Sequence, residues 1–319
     1  MSQANPKDGI LLAGVPLSVT NPGKVFWVNN SGVIPDNGVG GSDLSSRGTY
    51  LRPFATIDYA VGKCTASRGD VIMLMPGHAE NVATNGAIEA DVAGVAIVGL
   101  GSGSLTPKIS ATAAAGAVKV TAANVSLFNI QFEANFADCT NLLNLSDVGA
   151  DYCGVFNCKF TEAGTDLNFL RALRVNTTAD YLTVDNCTFV GSDASNDNCI
   201  AALGTHIGFV ITNNRFAFLT AQTAGEGQIE VATKITDTFV AHNHFYSATA
   251  AVDNAFVTMA GTANTGWAAH NFLKSVDLDA DAANFLGAFD VTGLGCFENY
   301  AVADADANGV NFLTDDNLS

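Results

Sequence analysis

Apolar and polar residues alternate on both sides of an asparagine in Val125-Ser126-Leu127-Phe128-Asn129-Ile130-Gln131-Phe132, and nearly the same text returns around Asn157 and Asn186. Such alternation is the periodicity of a half-buried strand rather than of a helix. An asparagine between two such runs reads as a corner, because Asn is among the few residues besides Gly that tolerate a left-handed backbone. Seven asparagines, Asn129, Asn157, Asn186, Asn214, Asn243, Asn271 and Asn299, recur at intervals of 28, 29, 28, 29, 28 and 28 residues. A period of this size marks a solenoid. The seven amides are expected to form one corner ladder, each bonded to the same group one coil above and below.

Turning the chain at Asn129 directs Val125, Leu127, Ile130 and Phe132 inward. Their equivalents one coil on are Cys153, Val155, Cys158 and Phe160, then Leu182, Val184, Cys187 and Phe189, so whole columns stay apolar. Beyond Asn214 the register changes: Phe216 and Phe245 fall two residues after the Asn, whereas Phe272 and Tyr300 follow it directly. A second apolar set precedes each corner, at 117–120, 142–145, 169–173, 199–203, 228–231, 255–259 and 285–289. Two or three strands per coil predict an all-β fold, a single-stranded right-handed parallel β-helix. At ~4.8 Å between coils, residues 70–303 make about eight or nine turns, a rod on the order of 40 Å tall.

The flanking segments are short. Residues 1–28 read as an extended arm, in which Pro6, Pro16 and Pro22 block helix and central strand. Residues 29–69 read as a Gly-, Ser- and Asn-rich loop followed by a capping helix, with Phe54, Ile57, Ala60, Val61 and Cys64 at helical spacing. Its apolar stripe is placed to plug the open end of the solenoid. Residues 304–319 read as an acidic tail. One uninterrupted repeat argues for a single elongated domain.

Composition narrows the partners. The formal charge is −17, from 14 basic and 31 acidic residues, so phosphate backbones and anionic membranes are repelled and neither nucleic acid nor membrane is expected to bind. No secretion signal and no bilayer-length apolar run is evident. Seven cysteines are scattered without CxxC pairs. They read as reduced thiols of a protein made in the cytoplasm, three of them on inward columns as small hydrophobes.

Several residue sets carry candidate chemistry. Asp138 with Asp166, Asp151 with Asp180, and Asp253 with Asp281 lie about one coil apart, near the separation that a glycosidase needs; the density of acidic residues produces such pairs by chance. Arg171, Arg174 and Arg215 lie where a lyase would place a base for a uronate α-proton, but in no recognisable motif. His242, His270 and Glu298 each precede a corner Asn in consecutive coils, a possible transition-metal column or simply three solvated corner side chains. Asp304-x-Asp306-x-Asn308-Gly309, with Asp315 at the twelfth position, matches the skeleton of a calcium loop or a plain acidic turn. Apart from that Ca2+ candidate no cofactor is expected.

Asn21-Pro22-Gly23-Lys24-Val25-Phe26-Trp27-Val28, Pro53-Phe54-Ala55-Thr56-Ile57-Asp58-Tyr59-Ala60-Val61, Gly69-Asp70-Val71-Ile72 leading to Pro76-Gly77-His78-Ala79-Glu80, and Val95-Ala96-Ile97-Val98-Gly99-Leu100-Gly101 together resemble the opening of pectate-lyase-like β-helix virion proteins of tailed bacteriophages. Within that group the chain is most similar to head decoration, or cement, proteins. The resemblance implies a non-enzymatic homotrimer on the outer surface of the capsid, bound to the major capsid protein, bridging capsomers and anchored by its arm. The alternative is a tailspike, receptor-binding protein or polysaccharide depolymerase (lyase or glycosidase) on the same scaffold.

Overall fold

The computed structural model describes residues 11–12, 15–16, 23–31, 34–145, 149–177, 179–222, 227–248, 257–261, 263–275, 289–303 and 310–312. In it the alternating runs become short strands stacked into three long sheets, in parallel except for Val310–Phe312, which pairs antiparallel with Asn299–Ala303. Sheet I has ten strands, from Val25–Val28 through Val71–Leu74 and Ser126–Phe128 to Gly295–Phe297. Sheet II has ten, from Ala79–Val82 through Gln131–Ala134 to Val310–Phe312, and sheet III has seven, from Asn85–Ala90 through Cys139–Leu145 to Val257–Met259. Each coil runs sheet I, a corner that carries Asn from Asn129 onward, sheet II, sheet III, and then rises to sheet I of the next coil. The result is an all-β parallel solenoid of about seven turns at ~28 residues per coil, the turns that sheet III closes, with sheets I and II adding further strands at the ends.

The inward columns are those that the alternation specifies. Val125, Leu127, Ile130 and Phe132, with their counterparts in the next two coils, are all buried. Phe132, Phe160, Phe189, Phe216 and Phe245 stack in one interior file at centroid separations of 5.0, 4.5, 5.0 and 4.9 Å. Each stacked pair adds about 0.5–1.5 kcal/mol beyond the area it removes from water. Leu273 continues that file and is buried, whereas Phe272 and Tyr300 are exposed.

The seven asparagines do not share one column. Asn129, Asn157 and Asn186 take left-handed backbone, with φ of 51°, 51° and 54°, and Asn213, His242, His270 and Glu298 occupy the same corner position at 57°, 57°, 53° and 52°. Asn214, Asn243, Asn271 and Asn299 stand one residue later, in the inward column begun by Ile130, Cys158 and Cys187, and are buried. The outer amides are linked at 3.3 Å each. The inner ladder is tighter: Asn243 Oδ1 accepts from Asn214 N at 2.9 Å and Asn214 Nδ2 at 3.1 Å, while Asn243 Nδ2 donates to Ile211 O at 2.9 Å and Asn271 Oδ1 at 3.1 Å. Two accepted and two donated bonds satisfy the amide.

The first end of the rod is closed by the motif-bearing segments. The helix Ile57–Val61, capped by Thr56, buries Ile57, Ala60 and Val61. Val25–Val28, read from sequence as the end of the arm, is instead the outermost strand of sheet I, paired in parallel with Val71–Leu74. Asp70, fully buried, accepts from Lys24 N, Thr65 N and Arg68 Nε, each at 2.7 Å. Burial opposes its charge, but the Arg68 guanidinium and the two amides outweigh burial and hold its carboxyl below the usual carboxylate value. All seven cysteines are free thiols, and burial pushes Cys139 and Cys153 up to about 11. Among the described residues no helix is long and apolar enough to cross a membrane.

Two outcomes follow for stability. Replacing Asn243 by Ala strands buried donors and acceptors in the coils on both sides and should cost about 2–4 kcal/mol, whereas Asn157→Ala, at an exposed corner, should cost about 1 kcal/mol or less; denaturant midpoints of the two variants check this. Asp70 has a lower pKa in the fold than its unfolded value of about 3.9, so its contribution is complete above that pH and is lost as pH falls through the folded value. Asp70→Asn should lower the melting temperature at neutral pH and flatten the acid limb of a melting-temperature profile.

Candidate functional site

The outer face of sheet III gathers the polar chemistry of the rod. Strand register aligns Glu89, Lys119, Asn144, Arg174, Ala201, Glu230 and Thr258 in one outward column. Asn141, Arg171 and Asn198 form a second column beside it. Successive members are one strand spacing apart, about 4.8 Å, so the two files make a straight polar strip along the rod. Sequence periodicity placed these strands but not this strip, because outward positions carry no repeat: a carboxylate, an ammonium, an amide and a guanidinium follow one another in the same file.

Part of the strip is internally paired. Lys119 Nζ meets Glu89 Oε1 at 3.2 Å, and Arg171 Nη2 meets Asp197 Oδ2 at 3.6 Å. Both are partly exposed pairs, whose attraction is largely screened. Other groups are shut off from solvent with no hydrogen-bond partner among the described residues: Asn141 Oδ1, Asn144 Oδ1, Arg171 Nε, Arg174 Nε and Thr258 Oγ1. An unmade bond in a site of this kind costs free energy, and a concentration of them on one face marks hydrogen-bonding capacity that the chain itself does not use. Among the described residues Arg174 has no carboxylate salt-bridged to it, unlike Arg171. Arg171 and Arg174, singled out from sequence, are therefore neighbours here. Arg215 is not: it stands exposed on sheet II, in register with Thr188 and His244.

The carboxylate pairs fare differently. Register sets Asp138 against Asn168, not Asp166, with Asp138 N donating to Asn168 Oδ1 at 2.9 Å and Asn168 Nδ2 to Asp138 Oδ1 at 3.2 Å. Asp151 and Asp180 do stack, but Asp151 Oδ1 accepts from Asp180 N and Asp180 Oδ1 from Ile207 N, both at 2.9 Å. Each carboxylate thus ties the corner of the next coil. Asp253 and Asp281 lie outside the described residues, as do Asp304, Asp306, Asn308 and Asp315 of the calcium-loop skeleton.

His242 and His270 stack at 4.9 Å with an interplanar angle of 6°, and His270 Nδ1 meets Glu298 Oε2 at 3.1 Å. The three are brought together as a corner column. Stacked rings place their nitrogens side by side rather than converging on a point, and among the described residues no three His, Cys, Asp or Glu side chains form a group able to hold a metal ion. His206, by contrast, is a core residue: one ring nitrogen bonds Ala179 O at 2.9 Å, the other accepts from Gly204 N at 3.2 Å, and burial lowers its pKa.

No family model and no curated protein matches the sequence. Among solved structures the fold is similar to one described as the crystal structure of pectate lyase Pel9A, with a TM-score of 0.51 and 13% identity over 87% of this chain and 69% of that one. At that identity the likeness is one of fold. It nevertheless corrects the expectation of a non-enzymatic protein, since the scaffold that the chain shares is that of an enzyme. The chain is a pectate-lyase-like parallel β-solenoid.

Proposed function

We propose that the protein is a β-helix component of a bacteriophage virion, a homotrimer that decorates the outer surface of the capsid and steadies it by bridging neighbouring copies of the major capsid protein. The observation that carries this reading is the way the segments bearing the phage resemblance converge on one structural unit. The chain enters the rod at Lys24, whose N–H is held by buried Asp70, and passes directly into the outermost strand of sheet I. A load applied through the residues before Gly23 is therefore passed straight to the stacked coils. Binding of this kind favours the assembled shell over its parts by mass action. Deleting residues 1–22, which leaves the strand Val25–Val28 intact, should preserve the far-ultraviolet circular dichroism of the rod and abolish co-sedimentation with purified heads that lack the protein. Undiminished co-sedimentation of the truncated chain would contradict the anchor.

A second reading is favoured by the sheet III strip and by the pectate lyase scaffold: cleavage of an acidic polysaccharide lying along the rod. Arg174, half-buried on this strip and with no salt-bridged carboxylate among the described residues, would face the uronate. This reading expects unsaturated products to accumulate from polygalacturonate in calcium buffer, with at least a hundredfold loss of rate in Arg174→Ala, the size of effect that a positioned proton-transfer group supplies. Absence of unsaturated product with the wild-type chain would eliminate it for that substrate.

A further inference from the structure

The three faces of the rod differ in charge. Sheet II presents Lys108, Glu133, Lys159, Arg215 and Lys274, and sheet III presents Glu89, Lys119, Arg171, Arg174 and Glu230. On the outer face of sheet I each of ten strands offers two outward positions, and Asp185 is the one charged residue among them. Even that carboxylate is occupied, accepting from Thr212 Oγ1 and Asn213 Nδ2 at 2.7 Å each. The face carries aromatic rings instead, among them Trp27, Phe128, Phe156, Trp267 and Phe297. Val71, Met73 and Val98 form an apolar cluster there, separate from the main core, with Trp27 and Phe128 packed on it. Phe128 and Phe156 stack at 4.7 Å. At the far end Trp267 is 55% exposed and Phe297 38%.

We propose that the outer face of sheet I is the surface on which copies of this chain associate. The inference rests on the homo-oligomer proposed above and assigns its contact face. Two copies that each carry a formal charge of −17 repel unless they meet where charge is absent, and this face is the long uncharged surface the described rod offers. Depletion of charge together with enrichment in aromatic side chains is the composition of an interface core. Val71, Met73 and Val98 at one end are buried within the chain, where Tyr50 packs edge-on to Trp27, so the accessible strip is the seven strands from Ser126–Phe128 to Gly295–Phe297, roughly 30 Å long at ~4.8 Å per strand. The stacked corner rings of Tyr152 and Tyr181 lie at its margin and extend its aromatic surface. The straight register of the strands lets two rods lie side by side without a gap opening along their length.

Trp267, 55% exposed on the accessible part of this face, reads its burial by fluorescence. The test uses the full-length wild-type chain, the double variant Ser126→Lys/Thr183→Lys, which puts two charges at partly exposed outward positions of sheet I, and the control Thr140→Lys, at an exposed position of sheet III. By sedimentation velocity at tens of micromolar, wild type and control should run at a multiple of 32.9 kDa with tryptophan emission protected from acrylamide. The double variant should run as a single chain, with unprotected emission and an unchanged circular dichroism spectrum. If the wild type assembles and the lysine pair has no effect, the contact face is overturned while the oligomer stands. If the wild type is a single chain, both fall; capsid co-sedimentation, measured separately, decides the virion reading.

Discussion

A parallel β-coil holds only if every turn finds the next in register, and in this chain the corner between sheets I and II is where register is enforced. The N–H of the inward corner residue falls outside the regular ladder of either strand, yet it is buried and needs an acceptor. Cys158 N uses Cys187 Sγ at 3.4 Å, and Cys187 N uses Asn214 Oδ1 at 2.8 Å. From Asn214 on, the acceptor is a carboxamide in each case. Sulfur is a weak acceptor and an amide oxygen a good one, so the corner moves from a soft, apolar solution in the middle of the rod to a hydrogen-bonded one toward its end. The same carboxamides return their N–H groups to carbonyls of the preceding coil. One side chain thus pins three consecutive turns.

That arrangement explains both what the sequence made legible and what it hid. Period and alternation were enough to place the strands of sheets I and II and the inward columns from Val125 to Phe189, because strand geometry allows only one choice of face once the corner is known. The identity of the ladder was not legible. Asn186 is followed at the regular interval by Asn214, but its structural equivalent is Asn213, and two adjacent asparagines give no hint of which one turns the chain. The later coils then fill the left-handed position with His242, His270 and Glu298, residues that a motif search reads as metal chemistry. A backbone requirement and a ligand set look alike when only residue types are visible.

The sheet III strip was less legible still. Arg171 and Arg174 stand out in a chain with few basic residues, but nothing in their local text shows that they stack beside Asn141 and Asn144, since those contacts are made across a coil. Outward columns need not repeat, so periodicity carries no information about them. The consequence is a division of labour among the three faces of one rod: an uncharged aromatic face on sheet I, a polar strip with unused hydrogen-bonding capacity on sheet III, and ordinary mixed charge on sheet II. Nothing in the stacking energetics demands that division, because outward side chains contribute little to register. It therefore reads as a property of what the rod meets rather than of how it folds.

The claim on which the account stands is that the asparagines form two ladders, one exposed and one buried and fully bonded. Exchange of side-chain amide hydrogens into deuterium oxide, followed by nuclear magnetic resonance, tests it residue by residue. The carboxamide protons of Asn214, Asn243 and Asn271 should persist with the slowest backbone amides of the core, while those of Asn157 and Asn186 exchange within the dead time. Uniform exchange across all of them would contradict the two-ladder stacking, and with it the register of the rod.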